Sequence, residues 1–207
     1  GKSEPALVEA TQSLANVLHA EAPGCGGILE AIEHFDLLPG DREARAPSAV
    51  GTSELVMVYH RLPFEEYIED GERRTRPHAS PNGIIPSLLG FFGSGRPGAW
   101  IAWSVEDGRS ERFEARTPVD PRRYPQLTTH RVRLSKSEVD AFYKRFSKEA
   151  FWPLLHTFWE RARFRADDWQ VFLKVNRRFA EATAAEAAHG AVGWIHDYNL
   201  WMVPGFL

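Results

Sequence analysis

Two polar residues that could bind a substrate each follow an apolar run in this 207-residue chain. Arg61 comes soon after the run Leu55–Tyr59, and Asp197 follows the run Val192–Ile195. In open α/β sheets, ligands bind beyond the carboxyl ends of the strands. An arginine there suits a bidentate contact with a phosphate or carboxylate, and a carboxylate there can accept hydrogen bonds from sugar hydroxyls. The pattern therefore favours a site for a sugar or a phosphate ester.

A glycine turn is the third candidate, because Gly83 lies in the segment 80–90, where a turn runs into an apolar helix. Backbone N–H groups at such a turn can donate hydrogen bonds to a phosphate. An ordinary loop-to-helix turn needs the same residues. Arg61 could likewise be a surface arginine that pairs with Glu65 or Glu66 and binds no ligand. The residues alone leave both alternatives open.

Two aromatic residues are candidates of a different kind. Tyr143 lies on the apolar face of a predicted helix, and Trp152 stands near the end of that helix. Both could simply pack in the core, or they could line a cleft and contact a sugar. His196 beside Asp197 is typical of metal-dependent phosphohydrolases, but no further suitably spaced ligands accompany the pair, so we expect no metal and no cofactor. The motifs His-Glu-x-x-His and Gly-x-Ser-x-Gly are absent, which argues against proteases and serine hydrolases.

Composition narrows the function classes further. The formal net charge of -3 argues against a broad contact with nucleic acid. The single cysteine, Cys25, excludes a disulfide framework within the chain and a thiolate-rich zinc site. No apolar run reaches the roughly 18 residues of a membrane span, and no signal-peptide pattern opens the chain. We expect a cytoplasmic protein with small-molecule partners; assembly into a homo-oligomer stays open.

The elements that must position these residues alternate between strands and helices. This alternation predicts an α/β fold with a mainly parallel sheet and flanking helices. Ser135 with Glu138 forms a capping box before one helix, and a second helix is expected from Asp167 or Asp168 to His189-Gly190. The arginines at 73, 74 and 76 are expected in a solvated loop. The predicted strands are Leu55–Tyr59, Trp100–Trp103, Glu111–Ala115, His130–Leu134 and Val192–Ile195.

The first fifty residues differ from the rest in composition. They hold three basic and eight acidic side chains, and Phe35 is their only aromatic residue. We therefore expect a short helical segment and linker over residues 1–46, followed by a domain over 52–207. The first residue is Gly1 and the last segment is apolar, so we expect a chain cut at both ends.

Taken in order, several segments resemble glycosyltransferase family 20, which contains the trehalose-6-phosphate and glucosylglycerol-phosphate synthases. The resemblance runs from about Leu55 to Leu207. Its most specific parts are Phe142–Phe158, Arg163–Trp169, Val175–Ala180 and Trp194–Pro204. It implies a Rossmann-like domain, the N-terminal half of a two-domain B-type glycosyltransferase.

Within the family, the sequence is more similar to the glucosylglycerol-phosphate branch. Trehalose-6-phosphate synthases typically carry Ser-Asn-Arg-Leu-Pro and His-Asp-Tyr-His-Leu where this chain has Tyr59–Pro63 and His196–Leu200. The family's Gly-Gly-Leu turn is replaced by Pro81–Pro86, and Ser147–Pro153 also looks like the glucosylglycerol branch.

The resemblance implies retaining transfer of glucose from a nucleotide sugar, ADP-glucose or UDP-glucose with a lean to the former, to a phosphorylated acceptor. The acceptor would be glycerol 3-phosphate, for compatible-solute synthesis, with glucose 6-phosphate as the alternative. A third hypothesis is a regulatory module that binds sugar phosphates without catalysing a reaction. By the same resemblance, Arg61 contacts the acceptor phosphate with Tyr143 and Trp152 beside it. Trp103 lines the acceptor side, Gly83 meets the donor diphosphate and Asp197 holds hydroxyls of the glucose.

The resemblance also implies what lies beyond the sequence. The second Rossmann domain of the family supplies the cations that neutralise the donor phosphates, so we expect residues 1–207 alone to be inactive. Residues 5–38 resemble the end of a haloacid-dehalogenase-type phosphatase domain, or its connector, fused upstream.

Overall fold

The computed structural model describes residues 51–70, 72–78, 83–93, 95–105 and 113–207, together with Glu21, Glu30 and His34. The chain divides into two compact units, Gly1–Ala46 and Pro47–Leu207. Most of the helices predicted over the first unit, and most of the predicted linker, lie outside the described residues; Glu30 and His34, in the second predicted helix, are helical. The account below concerns the second unit.

A five-stranded sheet forms the centre of this unit. Its strands are β1 Ser53–Val58, β4 Gly98–Val105, β5 Arg116–Pro118, β6 Leu127–Leu134 and β7 Ala187–Ile195, in the spatial order β5-β6-β4-β1-β7. The apolar run Leu55–Val58 explains the central place of β1, because a strand covered on both faces needs apolar side chains on both. β1 runs parallel to β4 and β7, and β4 runs parallel to β6, whereas β5 is an antiparallel edge strand.

Helices cover both faces of the sheet. On one face, alternate residues of β1 and β4 form an apolar cluster with the short helix α1, Ile84–Leu89, and with Phe92, which is fully buried. The long helix α4, Ala166–Glu186, packs against β1, β4 and β6. The predicted α/β fold with a mainly parallel sheet is confirmed. No helix in the described part of the chain is both long enough and apolar enough to cross a membrane.

The helix that begins after β6 changes its winding. Its first turn, α2 Lys136–Val139, carries the predicted capping box: Ser135 Oγ accepts from the Glu138 amide at 3.1 Å, and the Glu138 carboxylate accepts from the Ser135 amide at 2.9 Å. From Asp140 to Phe151 the chain is a π-helix, and it then continues as α3, Trp152–Leu155. In a π-helix the hydrogen bonds join residues five apart. The Ser147 hydroxyl accordingly donates to the Phe142 carbonyl at 2.8 Å.

Three local predictions are wrong. The arginine-rich loop is a hairpin of β2 Glu65–Glu69 and β3 Glu72–Arg76, because opposite charges pair across the strands, as Arg76 does with Glu65 at 2.9 Å. Among the described residues of the predicted strand 111–115, none is in a strand; the edge strand begins at Arg116. The long helix ends at Glu186, because β7 begins at the next residue.

Strand β7 is the outer strand of the sheet on the side of β1, and it exposes two large apolar side chains. Val192 is 61% exposed and Trp194 is 40% exposed, and the Trp194 ring lies 5.0 Å from that of Phe91. Leu55 and these three side chains line a shallow cleft together with Glu54 and Arg96.

Candidate functional site

The segments that follow β1 and β7 meet at one edge of the sheet. The two strands are parallel neighbours, and the His196 amide extends their ladder by donating to the Val58 carbonyl at 2.8 Å. This places Tyr59, His60 and Arg61 beside Asp197. The sequence prediction that Arg61 and Asp197 share one edge of the sheet agrees with this geometry.

A buried imidazole occupies the junction. His60 is 4% exposed, and its Nδ1 lies 3.2 Å from Nδ2 of the fully buried Asn199, which can donate to it. Burial and the nearby cations of Arg61 and Lys148 lower the pKa of His60 from 6.5 to about 3. The ring is therefore neutral at physiological pH, and its Nδ1 is an acceptor. His60 Nδ1 also lies 3.8 Å from Asp197 Oδ2.

Asp197 has an unusual backbone. Its φ of 78° and ψ of 149° belong to a region that residues other than glycine rarely occupy. The conformation is held by neighbouring hydrogen bonds: Asp197 Oδ1 accepts from the Tyr198 amide at 2.8 Å, and the Asp197 carbonyl accepts from the Leu200 amide at 3.2 Å. Strain of this kind concentrates at functional sites, where it presents a side chain in a fixed direction.

An asparagine on α4 fixes the loop that carries Asp197. The buried Asn176 donates from Nδ2 to the Asn199 carbonyl at 3.2 Å and accepts at Oδ1 from the Met202 amide at 3.3 Å. The part of the loop that follows Asp197 is thereby tied to the helix that packs on the sheet. On the other side of Asp197, the His196 amide is tied to β1.

A cleft of about 470 Å³ opens beside Arg61. Its other walls come from Trp103 on β4, His78 and the hairpin residues Glu66 and Ile68. The Arg61 carbonyl accepts from Trp100 Nε1 at 2.8 Å, which fixes the backbone at this point.

The two glutamates predicted as alternative partners of Arg61 form ion pairs with other arginines. Glu65 pairs with Arg76 at 2.9 Å, and Glu66 pairs with the buried Arg131 at 2.7 Å. The side chain of Arg61 is exposed at the cleft. This arrangement favours the ligand-binding reading of Arg61 over the surface ion pair.

Tyr143 belongs to the same cluster. It is half-buried, and its ring centroid lies 5.1 Å from that of His60 and 6.5 Å from that of Trp103. The neighbouring Lys148 has its Nζ 5.2 Å from the Tyr143 centroid and 5.5 Å from the Tyr198 centroid. Tyr143 therefore differs from its neighbours on the predicted stripe, Phe142 and Phe146, which are buried in the core.

Two further predicted residues share none of the ring contacts and hydrogen bonds described above. Trp152 is 38% exposed and stacks on His156 with ring centroids 4.1 Å apart. Gly83 precedes α1 with a φ of -81°, which any residue can adopt, and that helix has only six residues. Their substrate-binding roles stay predictions. Within the described ranges, no three His, Cys, Asp or Glu side chains lie close enough to hold a metal ion.

The sequence reasoning missed His60 and Lys148 as members of the site, and it named Asn199 only as a marker of the acceptor type. A signal was present: positions 60 and 199 are two of the departures from the trehalose-type motifs, and the structure brings these two residues into contact. Lys148 lies in the segment that looks like the glucosylglycerol branch.

Comparison with solved structures defines the class of the fold. A trehalose-6-phosphate structure from E. coli bound with UDP-2-fluoro glucose superposes with a TM-score of 0.56 at 25% identity, covering 75% of this chain and 30% of that chain. The trehalose 6-phosphate synthase of Burkholderia multivorans, at 24% identity and a TM-score of 0.57, has the same fold over 75% of this chain and 31% of its own. The domain is the Rossmann-like N-terminal domain of a B-type glycosyltransferase.

The family follows from the sequence comparisons. Residues 53–207 match the model of glycosyltransferase family 20, and the chain belongs to that family. It is 61% identical, over its whole length, to a glucosylglycerol-phosphate synthase from Pseudomonas anguilliseptica, of which it covers 28%.

More distant relatives carry two different names. A glucosylglycerol-phosphate synthase from Picosynechococcus is 40% identical over 75% of this chain and 31% of its own length. A trehalose-6-phosphate synthase from Mycolicibacterium smegmatis is 40% identical over 76% of this chain and 29% of its own. The chain thus spans about three tenths of the length of the curated relatives it matches.

Proposed function

We propose that this chain is the acceptor-side part of a retaining glucosyltransferase that moves glucose from a nucleotide sugar to glycerol 3-phosphate. The proposed donor is ADP-glucose, with UDP-glucose as the alternative. The product is glucosylglycerol phosphate, a precursor of a compatible solute. The observation that carries the proposal is the 61% identity to a glucosylglycerol-phosphate synthase along the whole chain. The protein would act in the cytoplasm.

The site supplies groups suited to this chemistry. Arg61 is an exposed cation at the wall of the cleft, and we assign it to the phosphate of the acceptor. Trp103 and Tyr143 would flank the acceptor, with Trp152 closing over it. Asp197, held in its strained conformation, would accept hydrogen bonds from hydroxyls of the transferred glucose, and Gly83 would approach the donor diphosphate.

The remaining groups would come from residues beyond this sequence. Departure of a nucleoside diphosphate requires cations that stabilise its developing charge. We assign these cations to a second Rossmann domain, and we expect residues 1–207 alone to show no turnover.

Residues 1–46 would be the end of an upstream domain of the phosphatase type, or its connector. The relative lengths support an extra domain: 212 residues make up 28% of the Pseudomonas relative, whereas 156 residues make up 31% of the Picosynechococcus relative. The former is therefore longer by about half, and its similarity to this chain includes the first fifty residues.

The test uses the complete chain to which this sequence belongs. With ADP-glucose as donor, glycerol 3-phosphate and glucose 6-phosphate are supplied in equal amounts, and the products are identified by mass. The proposal expects glucosylglycerol phosphate as the main product. A product made from glucose 6-phosphate would assign the protein to the trehalose branch, which the 40% identity to the Mycolicibacterium smegmatis enzyme keeps as the second candidate. Absence of both products would favour a silent, sugar-phosphate-binding regulator.

A further inference from the structure

Lys148 is a cation at the site to which no role has yet been given. Its side chain is exposed, and its Nζ lies 5.2 Å from the Tyr143 centroid and 5.5 Å from the Tyr198 centroid. It also interacts electrostatically with Asp197 and His60. In the described part of the chain, no carboxylate lies within ion-pair distance of Lys148.

The π-helix is what puts Lys148 there. Residues five apart share a face in a π-helix, so Lys148 lies beside Tyr143. In an α-helix the neighbours of Tyr143 would be the residues three and four positions on, Phe146 and Ser147. Both of these are instead buried. π-Helical winding is rare and is frequently found at functional sites, which favours a functional role for the placement of Lys148.

Lys148 and Arg61 lie around the same imidazole. Both cations lower the pKa of the buried His60 ring, and the centroid of the Tyr143 ring lies 5.1 Å from that of His60. Two cations at this junction outnumber the one carboxylate that the described residues place there, Asp197, and leave a local excess of positive charge. An anionic group of a bound ligand would neutralise it.

We propose that Lys148 is a second phosphate-binding residue of the acceptor site, acting with Arg61 on the phosphate of the acceptor. This inference rests on the proposed function. Arg61 supplies the planar, bidentate contact, and Lys148 supplies a mobile ammonium guided by the two tyrosine rings. The acceptor it suits is a small phosphate monoester whose dianion lies between the two cations.

The test compares two lysines of the same helix in the complete chain. Lys148→Met removes the cation and keeps most of the side-chain length. Lys144→Met is the matched control, because Lys144 is 64% exposed and pairs with Asp140 at 2.7 Å, one turn earlier. Lys148→Arg restores the charge. Kinetic constants are measured with glycerol 3-phosphate and ADP-glucose, and inorganic phosphate is titrated as a competitor of the acceptor.

The proposal expects Lys148→Met to raise KM for glycerol 3-phosphate by at least about tenfold and to weaken inhibition by inorganic phosphate in parallel, since charge-assisted hydrogen bonds are among the strong ones. It expects kcat and the KM of the donor to stay within about threefold, Lys148→Arg to recover most of the loss, and Lys144→Met to behave as the wild type.

Three results would overturn the assignment. These are an unchanged KM for glycerol 3-phosphate, an equal rise in Lys144→Met, or a rise that falls on the donor instead. If Lys148→Met does not fold, the chemical shifts of Tyr143 and Tyr198 during a phosphate titration of the wild type decide the matter, and unmoved signals count against the proposal. A wild-type enzyme that makes no product from glycerol 3-phosphate would refute the proposed function itself, which is a separate outcome.

Discussion

Replacing His60 with glutamine should remove an acid-sensitive part of the folding free energy. The pKa of His60 falls from 6.5 to about 3 on folding, because the ring is buried and lies near the cations of Arg61 and Lys148. His60 therefore binds a proton below about pH 6.5 in the unfolded chain, but only below about pH 3 in the folded chain. The contribution of His60 to stability is complete above pH 6.5 and is lost as the pH falls through this window.

The size of the effect follows from the two pKa values. One pKa unit corresponds to about 1.4 kcal/mol, so two units between pH 6.5 and 4.5 cost about 2–3 kcal/mol. That is a large part of the stability of an ordinary domain, which is about 5–15 kcal/mol.

Denaturant unfolding of the 207-residue chain at pH 7.5 and pH 4.5 measures this cost. We expect the wild type to lose about 2–3 kcal/mol more than His60→Gln between the two pH values. The other titratable groups cancel in the comparison because both proteins keep them. His189→Gln, at an exposed position, is the control.

Parallel pH dependences in the wild type and His60→Gln would refute the reasoning. They would mean that His60 accepts a proton in the folded chain as easily as in the unfolded one. Histidine ¹⁵N shifts offer a direct check: the ring of His60 should stay neutral at pH 5, with Nδ1 as the unprotonated nitrogen facing Asn199.

Three further outcomes test other parts of the structure. Gly51→Ala should lower the unfolding temperature strongly, since an added Cβ would lie 2.1 Å from backbone atoms of Glu186, whereas Gly90→Ala meets nothing within 4 Å and should not; thermal unfolding compares the two. Ser135→Ala should cost about 1 kcal/mol in denaturant unfolding because it removes the helix cap. Asp197→Gly should change the free energy of unfolding by less than about 1 kcal/mol, because relief of backbone strain offsets the lost hydrogen bond. The transfer activity of the complete chain should nevertheless fall at least a hundredfold. A stable variant with full activity would contradict the assignment of Asp197 to the glucose hydroxyls.

The sheet could be predicted because its signals are local. The buried run Leu55–Val58 and the strand around Trp100 have few polar positions, which is typical of strands that are covered on both faces. The capping box at Ser135 likewise uses residues only three positions apart. Such patterns specify the type of an element and its beginning well.

Other features depend on contacts that no local pattern contains. The stripe of Val139, Phe142, Tyr143 and Phe146 predicts an α-helix with Tyr143 in the core, and periodicity carries no signal for a switch to π-helical winding. The hairpin of β2 and β3 has a charged sequence, and its strands exist through cross-strand pairing between residues such as Glu65 and Arg76.

The site was predicted in part, for the same reason. The rule that ligands bind beyond strand ends selects Arg61 and Asp197, which the structure brings to one edge of the sheet. It cannot select a supporting pair such as His60 and Asn199, which are 139 positions apart and fully or nearly buried. Finding such a pair requires the register of two strands and not the chemistry of one residue.

The outer strand of the sheet has a practical consequence for anyone who expresses this domain. Ala187–Ile195 has one partner strand in the described structure, and it contains no lysine, glutamate or proline of the kind that discourages pairing with another copy. With Val192 and Trp194 exposed along it, recombinant preparations of residues 1–207 should tend to precipitate at high concentration. A single lysine at Val192, facing solvent, is a mild way to keep the domain in solution for crystallisation or NMR.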